Sequence, residues 1–250
     1  MFSFPLFLPQ ASIGQTVLYA YSTSDWFGKG VVIILVAGSI VAWSIMLTKW
    51  RDLGRLMEES KRFLAVYRRE ANPLMLFAQK RRYLGPLAAT YNHVCQSVAG
   101  DIATPGESEE LLISRLVTEN RFRLQQSELN MACKLAERTT VDQSVMLESH
   151  MGFLATVVTA APFLGLLGTV WGVMDAFRAM AESGSVMLSA VAPGISGALL
   201  TTVVGLLVAL PSLIGYNMLN SQIQKIDIMM ENFAEEFTND LERNFLTHPS

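Results

Sequence analysis

The sequence predicts an all-α membrane protein with three transmembrane helices and long helices extending into the cytoplasm. Three observations carry that prediction. Gly30–Thr48 has nineteen residues without a charge, Met151–Met174 has twenty-four, and Ser183–Gln224 has forty-two. Each can cross a hydrocarbon layer that takes about 20 helical residues. Only 16% of the 250 residues are charged and 51% are hydrophobic, whereas a soluble domain carries about 25% charged residues. Basic residues gather on one side of the first stretch: residues 51–82 hold nine Lys or Arg against four acidic residues. A bilayer core leaves backbone amides no partner but their own helix, so these stretches are helices.

The elements follow in order. Residues 1–29 form an N-terminal periplasmic or interfacial segment. Met1–Ser24 contains no Lys or Arg, so the charged start of a secretory signal is missing. Residues 30–49 are the first transmembrane helix. Lys49, Arg51, Arg55, Lys61 and Arg62 follow it closely, which sets its C-terminal end in the cytoplasm. Residues 50–150 are then a cytoplasmic helical insert. Within it, 51–70 and 74–98 read as two helices broken at Asn72-Pro73, with a turn at Gly85-Pro86. Ala99–Gly106 reads as a turn, and Glu107, Ser108, Glu109 and Glu110 suit a helix start. From Glu107 to Met151 there is neither glycine nor proline. That predicts one helix of about 67 Å running straight into the second span.

Residues 151–181 are the second transmembrane helix, 182–187 a short periplasmic loop without basic residues, and 188–219 the third. Residues 220–250 are a cytoplasmic amphipathic helix. In it Ile223, Ile226, Met230, Phe233, Phe237 and Leu241 recur at spacings of 3 or 4, which makes one apolar face. That face predicts packing against the cytoplasmic helix of the same or a neighbouring subunit. The N-terminus lies outside and the C-terminus inside.

The chain lacks the marks of several function classes. Net charge is −3, so no basic surface points to nucleic acid. GxxxxGK[ST], HExxH and GxSxG do not occur. His93, His150 and His248 are too scattered for a metal site. Cys95 and Cys133 read as buried small hydrophobes rather than a disulfide framework. No enzyme and no cofactor are expected. None of the three apolar cores contains Asp, Glu, His, Lys or Arg, which are the usual groups of an intramembrane proton relay.

The membrane helices carry small residues instead. The run APFLGLLGTVWGV (161–173) places Pro162, Gly165, Thr169, Gly172 and Ala176 on one helical stripe, with Gly168 beside it. The third span has Gly194, Gly197, Thr201 and Gly205 along one line, and Ala198, Thr202, Gly205 and Ala209 along the next. Small side chains let helices approach closely in lipid, where packing rather than water expulsion holds them together. The second and third spans thus form a hairpin. Pro162, Pro193 and Pro211 are expected kinks. Thr169, Thr201 and Thr202 add hydroxyls to the small faces. They either bond their own helix carbonyls or line a cavity.

The runs GLLGTVWGVMDAF (165–177) and VAPGISGALLTTVVGLLVALPSLIGYN (191–217) closely resemble the MotA/TolQ/ExbB proton channel family. Leu84-Gly85-Pro86-Leu87 and NFAEEF (232–237) resemble its TolQ branch most, with ExbB next. The resemblance implies a homopentamer in the bacterial inner membrane whose second and third spans enclose a pore. It implies a dimer of ExbD/TolR-like single-span proteins inside that pore, a proton carried on the partner's aspartate, and a TolA- or TonB-like protein that receives the work. Thr169 and Thr202 match the family's pore threonines, and Thr201 and Ser196 join them as pathway candidates. The sequence departs from the family at APGISGAL: Gly197 stands where relatives have Glu. A subunit that energises the envelope, one that energises nutrient uptake, and a non-conducting scaffold all remain open at this point.

Overall fold

The structure, a computed structural model, describes residues 13–79, 83–100, 123–183 and 188–246. Seven helices occupy them: α1 (Ile13–Thr23), α2 (Trp26–Tyr67), α3 (Met75–Ala78), α4 (Pro86–Gly100), α5 (Gln126–Glu148), α6 (Met151–Ser183) and α7 (Leu188–Phe245). Among the described residues there is no strand, only an isolated bridge between Leu124 and Leu246. Three of the helices, α2, α6 and α7, contain windows long and apolar enough to cross a membrane.

The chain divides into two units. The first comprises residues 1–46 and 150–217. Its core joins α2, α6 and α7 through Val31, Leu35, Ala161, Val208 and Ala209, with Phe27, Val157, Leu164 and Val204 packed around them. Phe27 stacks on Trp171 at 4.7 Å between ring centroids, so the start of α2 is held against α6. The outward faces stay apolar: Ile33, Ile34 and Ile40 on α2 and Leu207, Leu210 and Ile214 on α7 are each more than half exposed. Helices hydrophobic both inward and outward suit a lipid surrounding. Pro162, Pro193 and Pro211 lie inside α6 and α7, which stay helical through them. Each proline removes one intrahelical donor.

The second unit comprises residues 47–149 and 218–250. Its core is aromatic. Phe63, Tyr67, Tyr91, Phe233 and Phe237 are buried to 4% exposure or less, with Phe63 and Phe233 5.4 Å apart and Tyr91 and Phe237 5.1 Å apart. Ile223, Ile226, Met230 and Leu241 are equally buried, so the apolar face read from the tail is the face that packs. Polar contacts flank this core. Tyr67 donates to Asp240 at 2.8 Å, and Arg68 grips both oxygens of Glu236. The buried Tyr91 oxygen accepts the Phe77 N–H at 3.0 Å.

Four expectations change. The first segment of the insert is no separate helix, because α2 runs unbroken from Trp26 to Tyr67. It also begins four residues before Gly30. The 74–98 stretch divides into the single turn α3 and the helix α4. Gly85 between them takes φ 101, a conformation open to glycine without a Cβ clash. The helix expected over 107–151 does not run straight into the second span. Its part before residue 123 lies outside the described residues. Leu124 is extended and donates to the Phe245 carbonyl at 2.8 Å. α5 starts only at Gln126, where Glu128 reaches back to accept the Gln125 N–H. It ends at Glu148, and His150 adopts φ 66 before α6 begins. A left-handed residue cannot continue a right-handed helix. Finally, Cys95 is fully buried but Cys133 is only half-buried.

Candidate functional site

The α6–α7 hairpin is close enough for backbone to touch backbone. A β-carbon added at Gly205 would stand 2.6 Å from the Ala161 carbonyl oxygen, and one at Gly165 would stand 2.8 Å from that of Thr201. Added β-carbons at Gly168, Gly172 and Gly194 would stand 2.6 Å from the Thr201 hydroxyl, 2.7 Å from the Ala198 methyl and 3.1 Å from the Ala176 methyl. Five of the six glycines singled out in the sequence therefore serve one contact. Their lack of a side chain sets the distance between the helices.

Gly197 does not belong to it. The space over Gly197 is taken by Ser24, whose Cα, N and Oγ would lie 2.7–2.9 Å from an added β-carbon. Ser24 closes α1, donating its hydroxyl to the Ala20 carbonyl at 2.8 Å. Beside it, Asp25 caps α2 by accepting the Gly28 N–H at 2.9 Å, while its second oxygen is buried with no partner among the described residues. Sequence reading missed Ser24 and Asp25. The only local signal was an Asp three residues ahead of Gly28, a common cap spacing.

The close approach brings three hydroxyls together. Thr169 lies within 3.1 Å of the Gly165 carbonyl, Thr201 within 2.9 Å and Thr202 within 3.1 Å. Thr169 and Thr202 also touch each other directly through their hydroxyl oxygens. Thr201 has a second acceptor in the Ala198 carbonyl at 2.7 Å. Adjacent positions on a helix point about 100° apart, and the two neighbours fare differently. Thr201 is 0% exposed and fills the hollow at Gly168, which makes it a packing residue in this chain. Thr169 and Thr202 are half-buried and keep part of their surface open. Ser196 is half-buried on α7, and among the described residues no hydrogen bond joins it to the three threonines.

The chemistry of this cluster is bounded. A hydroxyl donates one hydrogen bond and accepts two, so the group can pass hydrogen bonds along but cannot hold a net charge. The nearest charged side chains on α6 sit at its far end, where Arg178 pairs with Asp175 at 2.8 Å. Among the described residues no group of His, Cys, Asp or Glu could hold a metal ion.

Comparison with known proteins gives the chain a family. The sequence pattern of the MotA/TolQ/ExbB proton channel family matches residues 108–232. This chain belongs to that family. The Tol-Pal system protein TolQ of Haemophilus influenzae is 30% identical over 215 residues, 85% of this chain and 88% of that protein. The biopolymer transport protein ExbB of Salmonella typhimurium is 32% identical over 211 residues, 81% of this chain and 77% of its own. TolQ of Pseudomonas aeruginosa reaches 42% over 101 residues, 40% of this chain and 44% of its own. The chain is a MotA/TolQ/ExbB protein with three helices long and apolar enough to cross a membrane, and the matched region contains the whole threonine cluster.

Proposed function

We propose that this chain is the ring-forming stator subunit of a proton-driven motor in a bacterial inner membrane. Five copies stand around a central pore lined by α6 and α7. Residues 30–49, 151–181 and 188–219 lie in the bilayer, the N-terminus is periplasmic, and 50–150 and 220–250 are cytoplasmic. A dimer of ExbD/TolR-like single-span helices occupies the pore, and an acidic side chain of that partner carries the proton. A TolA- or TonB-like protein receives the work across the periplasm. No cofactor takes part; the translocated species is H+.

One observation carries this reading: Thr169 and Thr202 present paired, half-open hydroxyls in a stretch that has no titratable group of its own. Such a wall can hydrogen-bond a passing acid or water but needs a partner to supply the charge. The experiment is proton flux in proteoliposomes holding this chain and its co-purified partner. Thr169→Val and Thr202→Val should each abolish flux while leaving the assembly intact by native mass spectrometry. Normal flux in both removes the threonines from the route.

We place the protein with TolQ, in envelope integrity and cell division, because of Leu84-Gly85-Pro86-Leu87 and NFAEEF (232–237). The ExbB likeness is of similar strength, and the neighbouring genes discriminate: a TolA/TolB/Pal-like set or a TonB-like gene. A non-conducting scaffold is the second reading, favoured by Gly197, whose side-chain space Ser24 occupies. Flux that depends on the partner's acidic residue rules it out.

A further inference from the structure

The second unit has a groove between α5 and α7 of about 320 Å3. Ala136, Thr140 and Ala234 form its floor, and Glu137, Glu231 and Glu235 form its rim. No Lys or Arg is among the described residues that line it. Thr140 is 7% exposed, yet its hydroxyl has no hydrogen-bond partner among the described residues. A hydroxyl that buried is ordinarily paired. Three carboxylates around a small-residue channel repel one another until a cation joins them. Floor and rim both ask for an occupant that is basic, polar in part, and narrow.

The same unit carries a matching surface on α2. Arg51, Arg55, Lys61 and Arg62 are exposed, and the exposed Glu58 among them pairs, among the described residues, with Arg62 alone, which leaves Arg51, Arg55 and Lys61 in excess. Leu53, Ser60, Phe63 and Tyr67 are buried on the opposite side of that helix, where Phe63 and Tyr67 meet Phe233 and Asp240 of α7. The basic side of α2 therefore faces away from the α7 of its own copy and cannot reach its own groove.

We propose that the α5–α7 groove receives the basic side of α2 from a second copy of this chain. The contact uses two different surfaces, so it repeats from copy to copy and makes a ring when the rotation between copies closes. It rests on the ring assembly proposed above and assigns that ring one of its interfaces.

The test uses Cys133, which lines the groove. Cys95 is fully buried and stays silent. Burial pushes the Cys133 thiol up from its ordinary value, so labelling is done at mildly alkaline pH. Lys61→Cys is introduced into the full chain, and membranes are treated with a short bismaleimide. The expected result is a ladder of linked multimers that vanishes in Lys61→Cys combined with Cys133→Ser. In parallel, Glu231→Lys with Glu235→Lys should loosen the oligomer in native mass spectrometry, and adding Lys61→Glu with Arg62→Glu should restore it. An intact ring that gives no ladder and ignores both charge changes overturns this interface and leaves the ring assembly standing. A monomeric unmodified chain overturns the assembly. A Cys133 link to a different protein overturns the second copy as occupant.

Discussion

Ser24 at the end of α1 and Gly197 within α7 are in backbone contact: an added β-carbon at Gly197 would stand 2.8 Å from Ser24 Cα. Residues far apart in the chain thus depend on each other, and the missing side chain is a requirement of this fold. Gly197→Ala should lower stability by about 1–3 kcal/mol, the usual cost of overpacking. Gly197→Glu should cost more, because no flexible neighbour can give way. Thermal melting in detergent measures both. Unchanged melting of Gly197→Glu would show that α1 and α2 do not hold that position.

The hairpin makes a second expectation. Gly168→Ala forces a methyl to within 2.6 Å of the Thr201 hydroxyl and should cost about 1–3 kcal/mol. Thr201→Ala removes the hydroxyl and the methyl but leaves its own β-carbon 2.8 Å from the new one, so the double variant should recover only part of the loss. Additive losses would mean the two residues do not share a cavity.

At His150 the backbone is left-handed, φ 66. Asn, Asp and His tolerate this region better than branched residues. His150→Gly should be neutral or stabilising, while His150→Val should cost about 1–2 kcal/mol. Equal melting of all three proteins would imply a continuous helix from α5 to α6.

The phenols of the second unit predict alkaline sensitivity. Burial, with the Asp240 carboxylate beside it, pushes the Tyr67 phenol far above its ordinary value, and burial does the same at Tyr91. Both groups are neutral when folded and ionise more readily when unfolded. Their contribution is complete below about pH 10, the free phenol value, and is lost as pH rises beyond it. Tyrosinate absorbance at high pH should therefore appear together with loss of helix. Tyr67→Phe should remove part of this dependence and cost about 1.5–3 kcal/mol at neutral pH through the unpaired Asp240. Tyrosinate formation in a chain still fully helical would contradict it.

The three spans and the buried face of the tail were legible because long apolar runs and 3.6-residue periodicity are properties of neighbouring residues. What was hidden depends on contacts distant in sequence. No glycine or proline announces the turn at His150, and nothing near Leu124 announces that it pairs with Leu246. Gly197 looked like one more member of a packing stripe, and only the fold reveals Ser24 against it. Thr201 and Thr202 are equivalent letters in the sequence. The rotation between them buries one under Gly168 and leaves the other half open. The hairpin itself was readable, since its spacing of small residues is the spacing of the contact.

The Gly165 carbonyl is approached by three hydroxyls at once, and an oxygen has two lone pairs to offer. The surplus donor has to point elsewhere, so the cluster owns several proton orderings that differ by a bond rotation alone. Exchanging one ordering for another needs no helix to move, and the cluster can answer an acceptor or a donor on the nanosecond scale of side-chain rotors.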